Sequence, residues 1–300
     1  MPKPLLLVGE NHHDLAGRQT LEKLLPELRA LGYSRLCLEF LSTSTQSEIL
    51  ELLRAVIINL EQTITEAIQQ TRFSGSKDDF INLPYEELIK HFKPVCLKPS
   101  HMALVIKNYQ PSVAMFRICH TWITSGGTLH GINKEDRTDV TKMSGKQWDL
   151  HNALTLSHRE KYMATHIKQH YAAQEDGTVA LIGIGHLERF KAIVDNCLMI
   201  FPHASHWLGV EVSVDLQERC ITVPATVYAD VVDTEAQKTR FITRCKQKLT
   251  ALTTVTSISA TPTYTPLATA KSPPKPAAAK KEADDSFSFM RDAFKNGFKQ

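Results

Sequence analysis

The stretch that decides the fold is LLLVGENH, which runs from Leu5 to His12. Its first half is a short aliphatic run, which is typical of a buried strand, and its second half places a histidine three positions after a glycine. The stretch VALIGIGH, from Val179 to His186, repeats this pattern. Because ligands bind at the carboxyl ends of strands in an open parallel sheet, the two histidines are predicted to share one site.

The other patterns predict an α/β fold with a mostly parallel central sheet, helices on both faces and an antiparallel hairpin at one edge. After the first strand, Asp14 is the expected N-cap of a helix that contains Pro26 and ends at Gly32. A strand at residues 35–40 completes a βαβ unit, whose crossover should be right-handed. Further helices are predicted at residues 46–70, 112–125, 146–175, from His186 to Cys197 and at 233–252, with short helices within 71–111. Further strands are predicted at residues 128–133 and 178–183, and the hairpin at 207–214 and 220–232.

The chain divides into one large domain and a tail. Its 300 residues, 42% of them hydrophobic, are enough for a single α/β domain over residues 1–252, with 41–125 as a helical insertion that covers the site. Residues 253–285 are rich in Pro, Ala and Lys and are predicted to be a disordered linker. Residues 286–300 have the pattern of a basic amphipathic helix, expected to dock on the domain or to contact a membrane surface or a protein partner.

Charge and cysteine usage narrow the class of protein. The net charge is +3, and the seven Lys/Arg and four Asp/Glu from Thr254 onward account for all of it, so the body is formally neutral and no nucleic-acid partner is expected. The six cysteines are dispersed without a CxxC pair, which favours reduced thiols and a cytoplasmic protein. We find neither a signal peptide nor an apolar run long enough for a transmembrane segment, although export by a signal-peptide-independent secretion system is compatible with the sequence.

Acidic and imidazole side chains follow several strands. Glu10 and His12 end the first strand, Glu39 ends the second, and His186 follows a later one; His130 and Asn133 lie on the strand between. Such a set suits a divalent metal ion with an open position, or a metal-free general base with an orienting carboxylate. Each histidine of the two repeated stretches precedes a predicted helix, whose positive N-terminus should lower the pKa of the imidazole and keep it neutral.

These residues resemble a superfamily that joins TraB/pheromone-shutdown proteins, TIKI metalloproteases, erythromycin esterases and haem-binding ChaN lipoproteins. The resemblance covers about residues 4–200, apart from the details of 41–125. It rests on GENH at Gly9–His12, the glutamate of Leu38-Glu39, REKYMA at Arg159–Ala164 and the strand that ends in GIGHL at Leu187. His13, directly after His12, and Asn133, where relatives often have an acidic or amide residue, depart from the pattern.

The resemblance implies a hydrolase of ester or amide bonds that acts on a small molecule or a peptide. Its catalytic residues would be Glu10, His12, Glu39, Arg159 and His186. A divalent ion (Mn, Co, Zn or Fe) would be held by His12, Glu39 and His186; His13 is a further ligand or only a helix-start residue. Arg159 would pair with one of the two glutamates, clamp a substrate oxygen or be one more exposed helix charge.

Two other functions stay open. The ChaN resemblance implies a haem- or metal-binding protein, which needs an axial histidine or tyrosine and an apolar cleft. The linker and the basic C-terminal segment would suit a bacterial effector whose site is not catalytic. Serine-hydrolase and nucleotide-hydrolase chemistry are disfavoured because the chain has neither a GxSxG nor a GxxxxGK[ST] motif.

Overall fold

The six strands form one sheet in the order β3-β2-β4-β1-β5-β6. The computed structural model describes residues 3, 5–10, 15–42, 45–133, 145–172, 176–183, 186, 197–203, 225–231 and 234–258. The strands are β1 (Leu5–Glu10), β2 (Tyr33–Ser42), β3 (Thr128–Asn133), β4 (Gly177–Gly183), β5 (Cys197–His203) and β6 (Ala225–Val231). The helices are α1 (Ala16–Ala30), α2 (Gln46–Thr71), α3 (Lys77–Asn82), α4 (Tyr85–Phe92), α5 (Pro99–Lys107), α6 (Tyr109–Thr124), α7 (Gly145–Ala172) and α8 (Glu235–Ile258).

The two repeated stretches lie side by side at the centre of the sheet. Strand β4 pairs in parallel with β1, and the register sets Glu10 opposite Gly183. On its other side β4 pairs in parallel with β2. The pairs β1·β5, β2·β3 and β5·β6 are parallel as well. The carboxyl ends of β1, β4 and β2 are therefore neighbours, and the predicted α/β fold with a mostly parallel sheet is confirmed.

Helices pack on both faces of the sheet. The larger core joins α1, α2, α6 and α8 to alternate strand residues, among them Leu6, Val8, Leu36, Leu38, Val179 and Leu181. The opposite face of the sheet packs against α7. There Arg35 of β2 and Thr178 of β4 both donate to the carbonyl oxygen of His170 on α7. The chain steps in one direction from β1 to β2 to β3 and then turns back to β4. Right-handed crossovers in opposite directions place their helices on opposite faces, which explains why α7 lies alone against its side among the described elements.

The insertion between β2 and β3 has a core of its own. The distal half of α2 packs against α3, α4 and α5 through a cluster that includes Ile64, Phe80, Leu88, Phe92 and Ile106. Helix α2 begins with a capping box, in which Thr45 accepts from the backbone of Glu48 and the Glu48 carboxylate accepts from the backbone of Thr45. The same helix contributes Ile49 and Leu53 to the larger core, so it connects the two clusters.

Several predicted details were wrong. Cys197, the last residue of a predicted helix, is instead the first residue of β5. Strand β6 pairs with β5 in parallel, whereas the sequence predicted it as the return strand of an antiparallel hairpin. Residues 204–224 separate these strands, which is the length that a parallel crossover needs. The other arm of the expected hairpin, 207–214, lies outside the described residues.

The ends of two helices also differ from expectation. The N-cap of α1 is Leu15, without a side-chain hydrogen bond, and the expected Asp14 is outside the described residues. Helix α8 continues through Ile258, beyond the predicted boundary at residue 252; the rest of the expected linker and the C-terminal segment 286–300 are outside the described residues. Among the described helices none has the length and apolarity to cross a bilayer.

Candidate functional site

Glu39 lies near the carboxyl end of β2 and is buried, with 3% of its surface exposed. Its Oε2 accepts a hydrogen bond from the backbone N–H of Gly183 on the adjacent strand β4. Its Oε1 lies 2.8 Å from Nε2 of His186. Glu39 of β2 thus contacts both the glycine that ends β4 and the histidine that comes three residues later.

His186 lies between two buried carboxylates. While Nε2 faces Glu39, Nδ1 lies 3.2 Å from Oε1 of Glu160, a residue of α7 that is also 3% exposed. Burial, the largest influence, opposes the charged imidazole, but the hydrogen bonds and charge of the two glutamates outweigh it and raise the pKa of His186 above its ordinary value. The expectation of a lowered pKa is therefore wrong for this histidine, because two carboxylate contacts dominate over any helix dipole.

Arg159 lies at the edge of this cluster. It is half-buried on α7, and its Nε donates to Oδ1 of Asn133, at the end of β3, over 3.3 Å. Its positive charge acts against protonation of His186 and lowers that pKa, although less than the glutamates raise it. Arg159 and Glu160, consecutive residues of α7, therefore contact the last residue of β3 and the histidine that follows β4.

Glu10 belongs to a separate buried ion pair. Its carboxylate accepts from Nε of Arg18 at 2.7 Å and from Nη2 of the same residue at 3.3 Å. Arg18 lies in the first turns of α1, so the cation paired with Glu10 comes from α1 and not, as considered from the sequence, from Arg159. A Cβ on Gly17 would lie 2.8 Å from both Gly9 O and Glu10 Cβ, which shows how closely α1 approaches the end of β1.

The two expected carboxylates thus face different helices. Glu10 continues the alternation of Leu6 and Val8, which pack on the side of α1, whereas Glu39 lies out of phase with Leu36 and Leu38 and faces α7. Glu10 is the last residue of β1, and Glu39 lies three residues before the end of β2. The structure brings only Glu39 together with His186.

The described donors do not fit a metal ion. Both nitrogens of His186 face carboxylates, and a histidine whose pKa is raised by them is a poor ligand, since a metal needs the neutral ring. Within the described ranges no cluster of three or more His, Cys, Asp or Glu side chains is arranged to hold a metal ion. His12 and His13, two of the four expected ligands, are outside the described residues, so the proposed ligand set stays a prediction.

Sequence reasoning missed the roles of Glu160 and Arg18. Helical periodicity could have found them. Glu160 shares its spacing with Met163 and Ile167, which are buried, so it lies on the covered side of α7. Arg18 likewise precedes Leu21, Leu25 and Leu28 on the buried side of α1. A charge on the apolar stripe of a helix indicates a buried partner.

His130 belongs to another cluster on the same face. Its ring lies 4.0 Å from that of His170, centroid to centroid, and its Nε2 is 3.0 Å from the hydroxyl of Thr128. Burial, together with the positive charges of His170 and Arg35, lowers the pKa of His130 to about 4. This histidine is therefore neutral and does not contact His186 in the described interactions. Trp122 is buried in the larger core.

Comparison with known proteins assigns this chain to no family. No family model matches the chain. No curated protein matches it either. Among solved structures, that of the type III effector HopBA1 is similar, with 13% sequence identity and a TM-score of 0.38, over 68% of this chain and 79% of that one.

Proposed function

We propose that this chain hydrolyses ester or amide bonds, with His186 as the group that transfers a proton to the substrate. One observation carries the proposal: the imidazole of His186 lies 2.8 Å from the Glu39 carboxylate and 3.2 Å from that of Glu160. Catalytic histidines are oriented and tuned by such acidic groups, and buried titratable groups with specific charge partners are candidates for functional sites.

The raised pKa defines the role of His186. A raised pKa favours the protonated imidazole, the form that acts as a general acid, so His186 would deliver its proton to the departing oxygen or nitrogen. One of the two carboxylates can keep the imidazole ring oriented while the imidazole exchanges its hydrogen bond to the other carboxylate for one to the substrate. Glu39 suits the orienting role, because the backbone of Gly183 fixes its second oxygen.

Arg159 would stabilise the negative charge that develops on the substrate oxygen. It is half-buried and close enough to influence His186 electrostatically, and Asn133 fixes the direction of its side chain. A guanidinium held before the reaction costs no reorganisation when the charge forms. The general base would be His12, by the repeated sequence pattern and the superfamily resemblance. No step is assigned to a metal ion.

The test is a panel of ester and peptide substrates with purified wild type and the variants His186→Gln, Glu160→Gln and His12→Gln. His186→Gln and His12→Gln should each lose roughly 10²–10⁴-fold in kcat on any substrate that the wild type cleaves, the range that general acid–base groups contribute. Glu160→Gln should lose less, because its carboxylate transfers no proton and acts through the pKa of His186. His101→Gln is the matched control, since His101 is a partly buried histidine on α5 that no step uses.

The pH profile distinguishes catalysis from folding. If His186 is the general acid, the rate falls at alkaline pH as it deprotonates, and Glu160→Gln should move that limb to lower pH because one of the groups that raise the pKa is removed. Circular dichroism confirms that the variants are folded. An unchanged alkaline limb, or folded variants with full activity, would contradict the proposal.

A further inference from the structure

The loop between α4 and α5 presents apolar side chains to solvent. It has the sequence KPVCLK, from Lys93 to Lys98, and its Leu97 is 93% exposed and Val95 41% exposed. The other large apolar side chains that stand exposed among the described residues, Ile58 and Leu150, occur singly on helices. Two such residues at one loop tip differ from the scattered exposure that any surface shows.

The protein holds this tip in place. Phe92, the last residue of α4, is buried in the core of the insertion, and its carbonyl oxygen accepts from the N–H groups of Val95 at 3.0 Å and Cys96 at 2.9 Å. Pro99 begins α5 directly after the loop and restricts the backbone there. The loop is therefore anchored at both ends, while Leu97 contacts almost nothing.

The stretch of sequence that contains the tip is basic. No Asp or Glu occurs between Glu87 and Glu135, whereas six lysines and arginines do. Lys93 and Lys98 flank the tip and are exposed. Glu87, the acidic residue that precedes this stretch, already binds Lys90 at 2.6 Å. The stretch that contains the loop therefore carries only positive formal charges, although the body as a whole is formally neutral.

We propose that this loop docks on an anionic lipid surface, with Leu97 and Val95 entering the interface and Lys93 and Lys98 meeting the headgroups. A protruding apolar tip between lysines suits the soft boundary between headgroups and acyl chains, and long lysine stems reach the headgroups while their neighbours are immersed. The C-terminal segment of this chain is an unsuitable occupant, because its Arg291, Lys295 and Lys299 would be repelled by the loop. The inference does not depend on the proposed hydrolase activity.

The test is co-sedimentation of the full chain with vesicles of phosphatidylcholine, with and without phosphatidylserine. Wild type should bind the anionic vesicles preferentially. Lys93→Glu combined with Lys98→Glu should weaken binding by more than roughly 20-fold, at about fivefold for each lysine removed near an anionic surface and more for its reversal. Leu97→Ser should weaken it roughly tenfold through lost apolar burial.

Matched controls come from the remaining surface. Ile58→Ser removes an apolar side chain that is 56% exposed, and Lys23→Glu with Lys248→Glu reverses two exposed charges elsewhere. Both should bind as wild type does. The proposal is overturned if wild type ignores anionic vesicles, if the loop variants bind normally because the C-terminal segment provides the affinity, or if only charge reversal matters. The proposal is equally overturned if wild type does not bind the anionic vesicles but binds an acidic protein through the same loop.

Discussion

Replacing Arg18 by methionine should lower the free energy of unfolding by about 3–5 kcal/mol, the cost of leaving a buried charge without its main counter-ion. The Arg18 side chain is 9% exposed and that of Glu10 is 1% exposed, so water screens neither. Two nitrogens of one guanidinium contact the two oxygens of one carboxylate, at 2.7 and 3.3 Å. Methionine fills most of the arginine stem, so the loss comes from the carboxylate rather than from a cavity.

The measurement is urea unfolding followed by circular dichroism. In the double variant Glu10→Gln with Arg18→Met most of the stability should return, because no buried charge remains. Arg117→Met is the control: it breaks an exposed pair with Glu22 at 2.9 Å, and such pairs contribute no more than about 1 kcal/mol. The reasoning is refuted if Arg18→Met costs no more than Arg117→Met, or if the double variant is as unstable as the single one.

Three further predictions concern packing and pH. Gly17→Ala should cost about 1–3 kcal/mol in thermal unfolding, because the new Cβ would lie 2.8 Å from the carbonyl oxygen of Gly9, and a wild-type melting temperature would contradict this. The raised pKa of His186 stabilises the fold fully below the ordinary value of 6.5 and less as the pH rises through the folded value, so the stability gap to His186→Gln should narrow with rising pH in urea titrations. Burial and the neighbouring His170 lower the pKa of His130 from 6.5 to about 4, so wild type should lose stability as the pH falls between those values. His130→Gln should flatten that dependence, and parallel curves for the two proteins would show the assignment to be wrong.

The parts of the fold that follow from local patterns could be predicted from the sequence. The aliphatic runs before Gly9 and Gly183 identify β1 and β4, and the long apolar periodicity identifies α2. Strand β5 was missed because its apolar run, from Leu198 to Phe201, has a length that fits the end of a helix equally well. A hairpin was expected instead, because the alternation of Val210, Val212 and Val214 and the turn after it precede the segment of β6.

The candidate site was predictable in place but not in its contacts. Glu39 and His186 lie 2.8 Å apart, because β2 and β4 are parallel neighbours and their carboxyl ends lie side by side. Which helix covers each carboxylate depends on strand order, and strand order is not a local property of the chain. The insertion of β4 between β1 and β2 sets His186 beside Glu39, where α7 supplies Glu160, while Glu10 pairs with Arg18 of the helix that directly follows its own strand.

That insertion of β4 has a consequence for how the chain matures during synthesis. Strand β1 has two partners, and both lie far downstream: β4 ends at Gly183 and β5 at His203. At roughly 5–20 residues per second, the ribosome needs roughly 10–35 s to reach the end of β4 after β1 has formed. Meanwhile the insertion, with its own apolar cluster, can collapse on local contacts. Of the described strands, β1 is the first to be synthesised and is therefore among the last to be paired, so its aliphatic run stays without strand partners for most of the synthesis of this sheet.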